Sequence, residues 1–223
     1  MSTVLVVAVH PDDETLGCGG TILKHRNHND EIHWLIVTTM TAGLGFSNSQ
    51  IEVRAQTIKA VTQAYGFAAV HELGLESTKL DSLPKRDLVG AFSKVFNQVK
   101  PQTVYLPFFN DVHSDHRLAF EAAFSCTKSF RRPEVKRVLM METLSETEFA
   151  PAIAGTSFIP NVFNDISDYL SEKMKIMKLY DSEISSPPFP RSLANIEALA
   201  TYRGSTSGFR AAEAFMLLLE RNL

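Results

Sequence analysis

The order of segments along the chain predicts a doubly wound α/β fold: a mostly parallel sheet flanked by helices, with a helical elaboration at the C-terminal end. Three observations carry this reading. β-branched runs alternate with helix-period segments over the first two-thirds of the chain. The first run is apolar without interruption, the pattern of a strand buried on both faces. Two polar clusters rich in His and Asp directly follow strands, and parallel sheets bind ligands outside the carboxyl ends of their strands.

Residues 3–9 (TVLVVAV) form the first strand, and a helical stretch at 15–27 follows the polar segment His10-Pro11-Asp12-Asp13-Glu14. Asn29-Asp30 is a turn, and 31–39 (EIHWLIVTT) is the second strand. Residues 41–50, rich in Gly, Ser, Thr and Asn, read as a loop. Val53, Ile58, Val61 and Ala64 give 51–65 a helical period that Gly66 ends. A short strand at 70–75 and a helix at 84–99, closed by Pro101, come next. A strand at 103–108 (TVYLPF), a helix at 115–128 with Ser114 as N-cap, and a strand at 135–144 complete the alternation. The last third differs. It holds an amphipathic helix at about 167–182, the cluster Pro187-Pro188-Phe189-Pro190, a helix near 192–201 and a final apolar stretch at 211–223. No repeat, low-complexity tract or linker interrupts the 223 residues, so a single domain spanning 1–223 is expected.

Composition excludes several classes. Hydrophobic residues at 44% and charged residues at 21% are ordinary for a globular chain and rule out a disordered or collagen-like one. A chain this long buries roughly 70% of its unfolded surface and needs no disulfide or metal to hold a core. With 22 Lys and Arg against 25 Asp and Glu, the net charge of −3 builds no polybasic footprint, so no nucleic-acid partner is expected. Two cysteines, Cys18 and Cys126, do not make a disulfide framework. Met1-Ser2-Thr3 lacks the basic segment of a signal peptide, and no stretch approaches the roughly 20 apolar residues of a membrane span. A soluble, cytoplasmic protein is the expectation. The apolar C-terminal helices are compatible with a homo-oligomer.

The two polar clusters carry the chemistry. The first is 10–14; the second is Asn110-Asp111-Val112-His113-Ser114-Asp115-His116-Arg117. His10 and Asp13 stand three residues apart, as do His113 and His116, so one turn can aim each pair at one point. A hydrolytic zinc site takes three N or O ligands and keeps a position open for water. His10, Asp13 and His116 would supply two imidazoles and a carboxylate, although spacing alone leaves open which of His113 and His116 is the ligand. Zinc lowers the pKa of a bound water to about 7. Asp12 is placed to take that water's proton. His113 would polarise a carbonyl or protonate a leaving amine, with Asp115 orienting its ring and favouring its charged form.

These segments resemble a known family. Val9 to Glu14, with Gly17-Cys18-Gly19-Gly20-Thr21 behind it, is similar to the first signature of the zinc-dependent PIG-L/LmbE-like N-deacetylases, and His113-Ser114-Asp115-His116 to their second. The likeness continues through Phe158-Ile159-Pro160-Asn161, Asp165-Ile166-Ser167, residues 178–183, Tyr202-Arg203-Gly204 and Ala212-Glu213-Ala214-Phe215, so it covers nearly the whole chain. It implies a Rossmann-like fold and removal of acetyl from an N-acetylated amino sugar of the N-acetylglucosamine type, releasing acetate and a free amine. It assigns His10, Asp13 and His116 to the metal, Asp12 to the general base, and His113, held by Asp115, to the electrostatic catalyst or acid. Zn²⁺ is the expected ion; a His₂-carboxylate site also accepts Fe²⁺. The partner is a small-molecule or sugar-conjugate substrate, for which Arg54, Asn110, Glu142 and Arg203 are candidate contacts. Three positions depart from the family's pattern. Val9 replaces a small residue, Ile58 stands where an acid often follows Arg54 by a turn, and Phe189 stands where histidine often precedes Pro-Arg. The last two bear on substrate identity rather than on catalysis.

Ordinary readings stand beside these. His10 and Asp13 also fit a loop histidine and a first-turn acid that complements the helix dipole. Glu14 reads as a structural first-turn acid, and His25 with His28 as a solvated helix end. His33 and His71 read as structural, and Cys18 as a small packing residue. Gly17-Cys18-Gly19-Gly20 is not a dinucleotide fingerprint, because Ile22 occupies the third glycine position. Two rival functions follow: an amidase or deacylase on a larger amino-sugar conjugate, and a non-catalytic sugar- or nucleotide-binding domain.

Overall fold

The structure is a computed structural model that describes residues 1–222. Its strands are β1 (Thr3–Ala8), β2 (Glu31–Thr39), β3 (Ala69–Glu76), β4 (Thr103–Leu106), β5 (Arg137–Met141), β6 (Val162–Asp165) and β7 (Ala212–Glu220). Its helices are α1 (Asp13–Asn27), α2 (Asn48–Tyr65), α3 (Lys85–Val99), α4 (Ser114–Ser125), α5 (Leu170–Met177) and α6 (Leu193–Ser205). All seven strands form one sheet in the order β3-β2-β1-β4-β5-β7-β6. The first five in that order run parallel, and β7 lies antiparallel between β5 and β6.

β1 is the central strand, with Val4 level with Ile32 on one side and Thr103 on the other. Successive side chains of a strand face opposite ways. Val4, Val6 and Ala8 therefore enter one core with Trp34, Tyr105 and Phe215, while Leu5, Val7 and Val9 enter the other with Phe92, Phe96 and Val104. The chain winds from β1 outward to β2 and β3, then returns to place β4 on the other side of β1. The reversal opens a crevice at the carboxyl ends of β1 and β4, the topological switch point where open α/β sheets bind ligands. Both polar clusters leave the sheet there.

Several segments differ from the sequence reading: β6 has no counterpart in it, and the helix expected at about 167–182 is only α5, Leu170–Met177. α2 begins at Asn48 because Ser47 and Gln50 close a reciprocal capping box, which shortens the expected 41–50 loop. α4 is capped by His113 rather than Ser114: the His113 ring accepts the Asp115 amide, and Ser114 is already helical. The final apolar stretch is strand β7, not helix. Its Ala, Glu, Met and Leu residues favour helices, but ladder bonds on both edges and burial of Ala212 to Phe215 override that preference. The C-terminal third is thus α5 and α6 plus two strands. Of the final apolar stretch, Ala212 to Phe215 are buried, Leu218 is exposed, and Leu223 lies outside the described residues. Among the described residues, no helix is long and apolar enough to cross a membrane. α1 lies close over the sheet; a Cβ on Gly17 would sit 2.9 Å from Met141 Cβ, and one on Gly20 would sit 2.6 Å from Ile166.

Candidate active site

The first cluster is built on a strained turn. Asp12 has a φ of 141°, which L-residues rarely adopt, and its carbonyl accepts the Thr15 and Leu16 amides at 2.9 Å each to start α1. The Asp12 amide donates to the Glu14 carboxylate at 3.1 Å. Glu14 is fully buried and also accepts from Thr15 Oγ1 at 2.6 Å and from the Tyr180 hydroxyl at 2.8 Å. Burial pushes its pKa up to about 7, and these bonds hold it from rising further. Glu14 is structural, as expected, and what it holds is the Asp12 backbone. Burial, and then the charge of Asp13, raise the Asp12 carboxyl well above the ordinary range.

Asp13 Oδ2 accepts the Val9 and His10 amides at 2.9 and 2.8 Å, which turns the carboxylate back over the end of β1. From α4, the fully buried His116 presents Nε2 to the same place, 3.3 Å from Asp13 Oδ2 and 3.3 Å from His10 Nδ1. His10 Nδ1 and Asp13 Oδ2 are 4.0 Å apart. Zinc bonds of about 2.0–2.1 Å at tetrahedral angles set ligand atoms about 3.3–3.4 Å apart, so this donor set fits a small divalent ion. The other edge of the His116 ring is fixed by Asp111, whose Oδ2 lies 2.9 Å from Nδ1. Burial alone would lower the His116 imidazole; the carboxylates of Asp13 and Asp111 outweigh it and lift it to about 9.

His10, His113 and Asp115 form a second group able to hold a metal, on the opposite edge of the His10 ring. Its donors are already engaged. His113 Nδ1 accepts the Asp115 amide at 3.1 Å, and Asp115 Oδ2 accepts the Thr78 amide at 2.6 Å. The expected pairing of Asp115 with His113 is therefore not the one the structure makes. The carboxylate lies 4.0 Å from His113 Nδ1 and 3.7 Å from His10 Nε2. Burial, reinforced by His10, lowers His113 to about 4, so its neutral form is favoured rather than its charged one.

A cleft of about 250 Å³ opens over these groups, lined by His10, Asp12, Asp13 and His113, and walled by Arg54, Ile58, Glu146, Glu183 and Arg191. Arg54 reaches it as expected; Nη1 donates to the Pro11 carbonyl at 2.8 Å and Nη2 to the Glu183 carboxylate. The other three candidate contacts do not line it. Asn110 spends its amide on the Thr156 carbonyl at 3.0 Å. Glu142 and Arg203 pair with each other at 2.8 Å in a separate, smaller cavity. His25 is not solvated, because its ring is held between Asp30 at 2.8 Å and the Tyr105 hydroxyl at 2.9 Å. Sequence reasoning gave no role to Asp111, although it stands five residues before His116 in the second cluster. It also gave no role to Glu146, Glu183 or Arg191, although the family likeness ran through 178–183 and the Pro190-Arg191 pair, since only tertiary packing carries the 181–191 segment to the cleft.

Known proteins share these features. The family model described as PIG-L, GlcNAc-PI de-N-acetylase, matches residues 5–127, more than half of the 223. The diacetylchitobiose deacetylase of Thermococcus kodakarensis is 26% identical over 222 residues, covering 94% of this chain and 80% of its own. A Bacillus anthracis protein named probable N-acetyl-alpha-D-glucosaminyl L-malate deacetylase 2 is 24% identical over 192 residues, 82% of each chain. The solved structure of conserved protein TT1542 from Thermus thermophilus superimposes with a TM-score of 0.79 at 22% identity, covering 100% of this chain and 97% of that one, which shows a common fold. Both His and Asp clusters fall inside the matched segment, and the chain belongs to the PIG-L family of de-N-acetylases.

Proposed function

We propose that this chain is a metal-dependent hydrolase that removes acetyl from an N-acetylated amino sugar of the N-acetylglucosamine type. One observation carries the reading: the donor atoms of His10, Asp13 and His116 converge beside the buried carboxylate of Asp12. Zinc suits two imidazoles and a carboxylate, and Fe²⁺ is the alternative ion. Once bound, the metal supplies an acidified water and a Lewis acid for the acyl oxygen.

The chain's own groups do the rest. Asp12 accepts a proton as water adds to the acetyl carbon, then returns it to the nitrogen as the C–N bond breaks, leaving acetate and amine. His113 Nδ1 accepts a backbone amide, so the neutral ring carries its proton on Nε2 and can donate to the developing oxyanion. Asp111 holds the His116 tautomer that leaves Nε2 free for the metal. Past Arg54 the cleft continues into a second compartment of about 330 Å³, with Met40, Phe46, Val53 and Thr57 in its walls. That space favours a sugar carrying an aglycone over a free monosaccharide.

The test is metal content together with acetate release from a panel of N-acetylglucosamine conjugates. About one metal per chain is expected, lost in Asp13→Ala. Asp12→Ala should keep the metal and lose 10²–10⁴ in turnover, the usual contribution of a general base. A chain that takes up no metal when zinc is supplied, or normal turnover by Asp12→Ala, sinks the mechanism. Tight sugar binding with no acetate from any conjugate would favour the binding-domain reading.

A further inference from the structure

α1 is helical on either side of Cys18, whose φ of −150° and ψ of 25° are not helical. In an unbroken helix the Gly20 amide would donate to the Leu16 carbonyl four residues back. Here that amide donates to Glu213 Oε1 at 2.8 Å, and the Leu16 carbonyl accepts from Lys173 Nζ at 3.0 Å. Lys173 Nζ and Glu213 Oε1 are 2.7 Å apart. An ion pair is thus inserted into a single helical hydrogen bond. Glu213 Oε2 also takes the Thr21 amide at 2.7 Å. Lys173 is 3% exposed and Glu213 is 5% exposed, and the backbone groups they serve are buried with them, so while α1 is broken those groups depend on the pair for partners.

A buried ion pair is a poor way to gain stability. Apolar residues of similar volume usually do as well or better, because two charges need not be stripped of water. What this pair secures is direction. The part of α1 ahead of the break, residues 13–17, is little more than one turn, too short to hold itself. It carries Asp13 and is capped by Asp12. Neither Lys173 nor Glu213 lines the catalytic cleft. Both lie beyond the matched 5–127 segment, and Glu213 belongs to the Ala212-Glu213-Ala214-Phe215 stretch that the mechanism leaves without a role.

We infer that Lys173 and Glu213 are positioning residues: by keeping α1 broken at Cys18 they aim Asp12 and Asp13 at His10 and His116. The inference rests on the deacetylase reading for its kinetic consequence and on the broken hydrogen bond for its structural one. The decisive variant is the double substitution Lys173→Met with Glu213→Leu. It removes both charges together and leaves Leu16 and Gly20 free to bond directly, which lets α1 straighten.

The double variant should unfold in urea at a midpoint no lower than that of the wild type. Its kcat should nevertheless fall at least tenfold with KM within threefold, and a chelator should strip zinc from the loaded protein at least tenfold faster. Lys173→Arg, which keeps the cation, should recover most of the turnover that Lys173→Met loses. A purely structural role predicts that activity follows stability. A folded double variant with kcat and chelator rate both within threefold of the wild type overturns the inference. If the double variant does not fold, amide exchange in the wild type decides. Gly20 and Thr21 protected like the β1 amides support the pair, and exchange at loop rates overturns it. Absence of acetate release from the wild type would instead refute the deacetylase reading, with chelator rate and amide exchange still judging the hold on α1.

Discussion

His116 has no freedom to turn. Its Nδ1 edge meets Asp111 at 2.9 Å, its Nε2 edge faces Asp13 at 3.3 Å, and no part of it reaches solvent. A carboxylate behind a ligating imidazole fixes the tautomer and the ring plane, and its loss typically weakens metal binding 10–100-fold. Asp111→Ala should therefore show zinc affinity reduced by that factor, measured by competition with a chelator, with Asp111→Asn recovering part of the loss. Unchanged affinity in Asp111→Ala would mean that Asp111 serves the loop and not the ligand. His10, Asp12, Asp13, His113 and His116 were legible in the sequence because short spacings and strand ends constrain where they project. Asp111 stood in the same cluster, but spacing does not reveal which ring edge a carboxylate meets. The same ambiguity hid the partner of Asp115, whose carboxylate faces His10 Nε2 and the Thr78 amide. Glu142 and Arg203 satisfy each other, a pairing between residues 61 positions apart that depends on where α6 packs on the sheet.

β7 is the element whose sequence misleads. Its run of Ala, Glu, Phe, Met and Leu has no β-branched residue, and local preference alone favours a helix. The strand exists because β5 and β6 both offer it a ladder and because Phe215 fills a place in the core that a solvent-side helix would leave empty. Phe215 is 0% exposed, and its ring lies 5.3 Å from that of Tyr105. Phe215→Ala should destabilise the fold by about 3–5 kcal/mol, the usual range for truncating a buried aromatic. Urea unfolding measures it, and a loss below about 1 kcal/mol would show that β7 is loosely seated. The parallel strands read correctly because their signal is local: β1 is apolar at every position after Thr3, and Gly66 and Pro101 mark helix ends. A strand that owes its conformation to neighbours on both edges leaves no such mark.

Across the whole molecule, segments far apart in sequence meet at the cleft. Arg54 comes from α2, and Glu183 with Arg191 comes from the segment after α5. Glu183 binds both guanidinium groups, to Arg191 at 3.3 Å and to Arg54 more closely. One carboxylate thus offsets part of the charge of two guanidinium groups in the cleft wall. We infer that Glu183, by occupying both guanidinium groups, weighs against an anionic aglycone. Glu183→Ala should lift that bias, because it frees two guanidinium groups and removes one carboxylate. The ratio of kcat/KM for an anionic conjugate, such as one carrying malate, to that for a neutral glycoside should rise about tenfold, which is about 1.4 kcal/mol of differential transition-state binding. The gain should shrink as salt rises, because the freed charges sit at an open cleft and are screened. A ratio that does not move, in a variant that folds and turns over the neutral substrate, would mean that Glu183 only braces the 181–191 segment against α2 and that aglycone charge is read elsewhere.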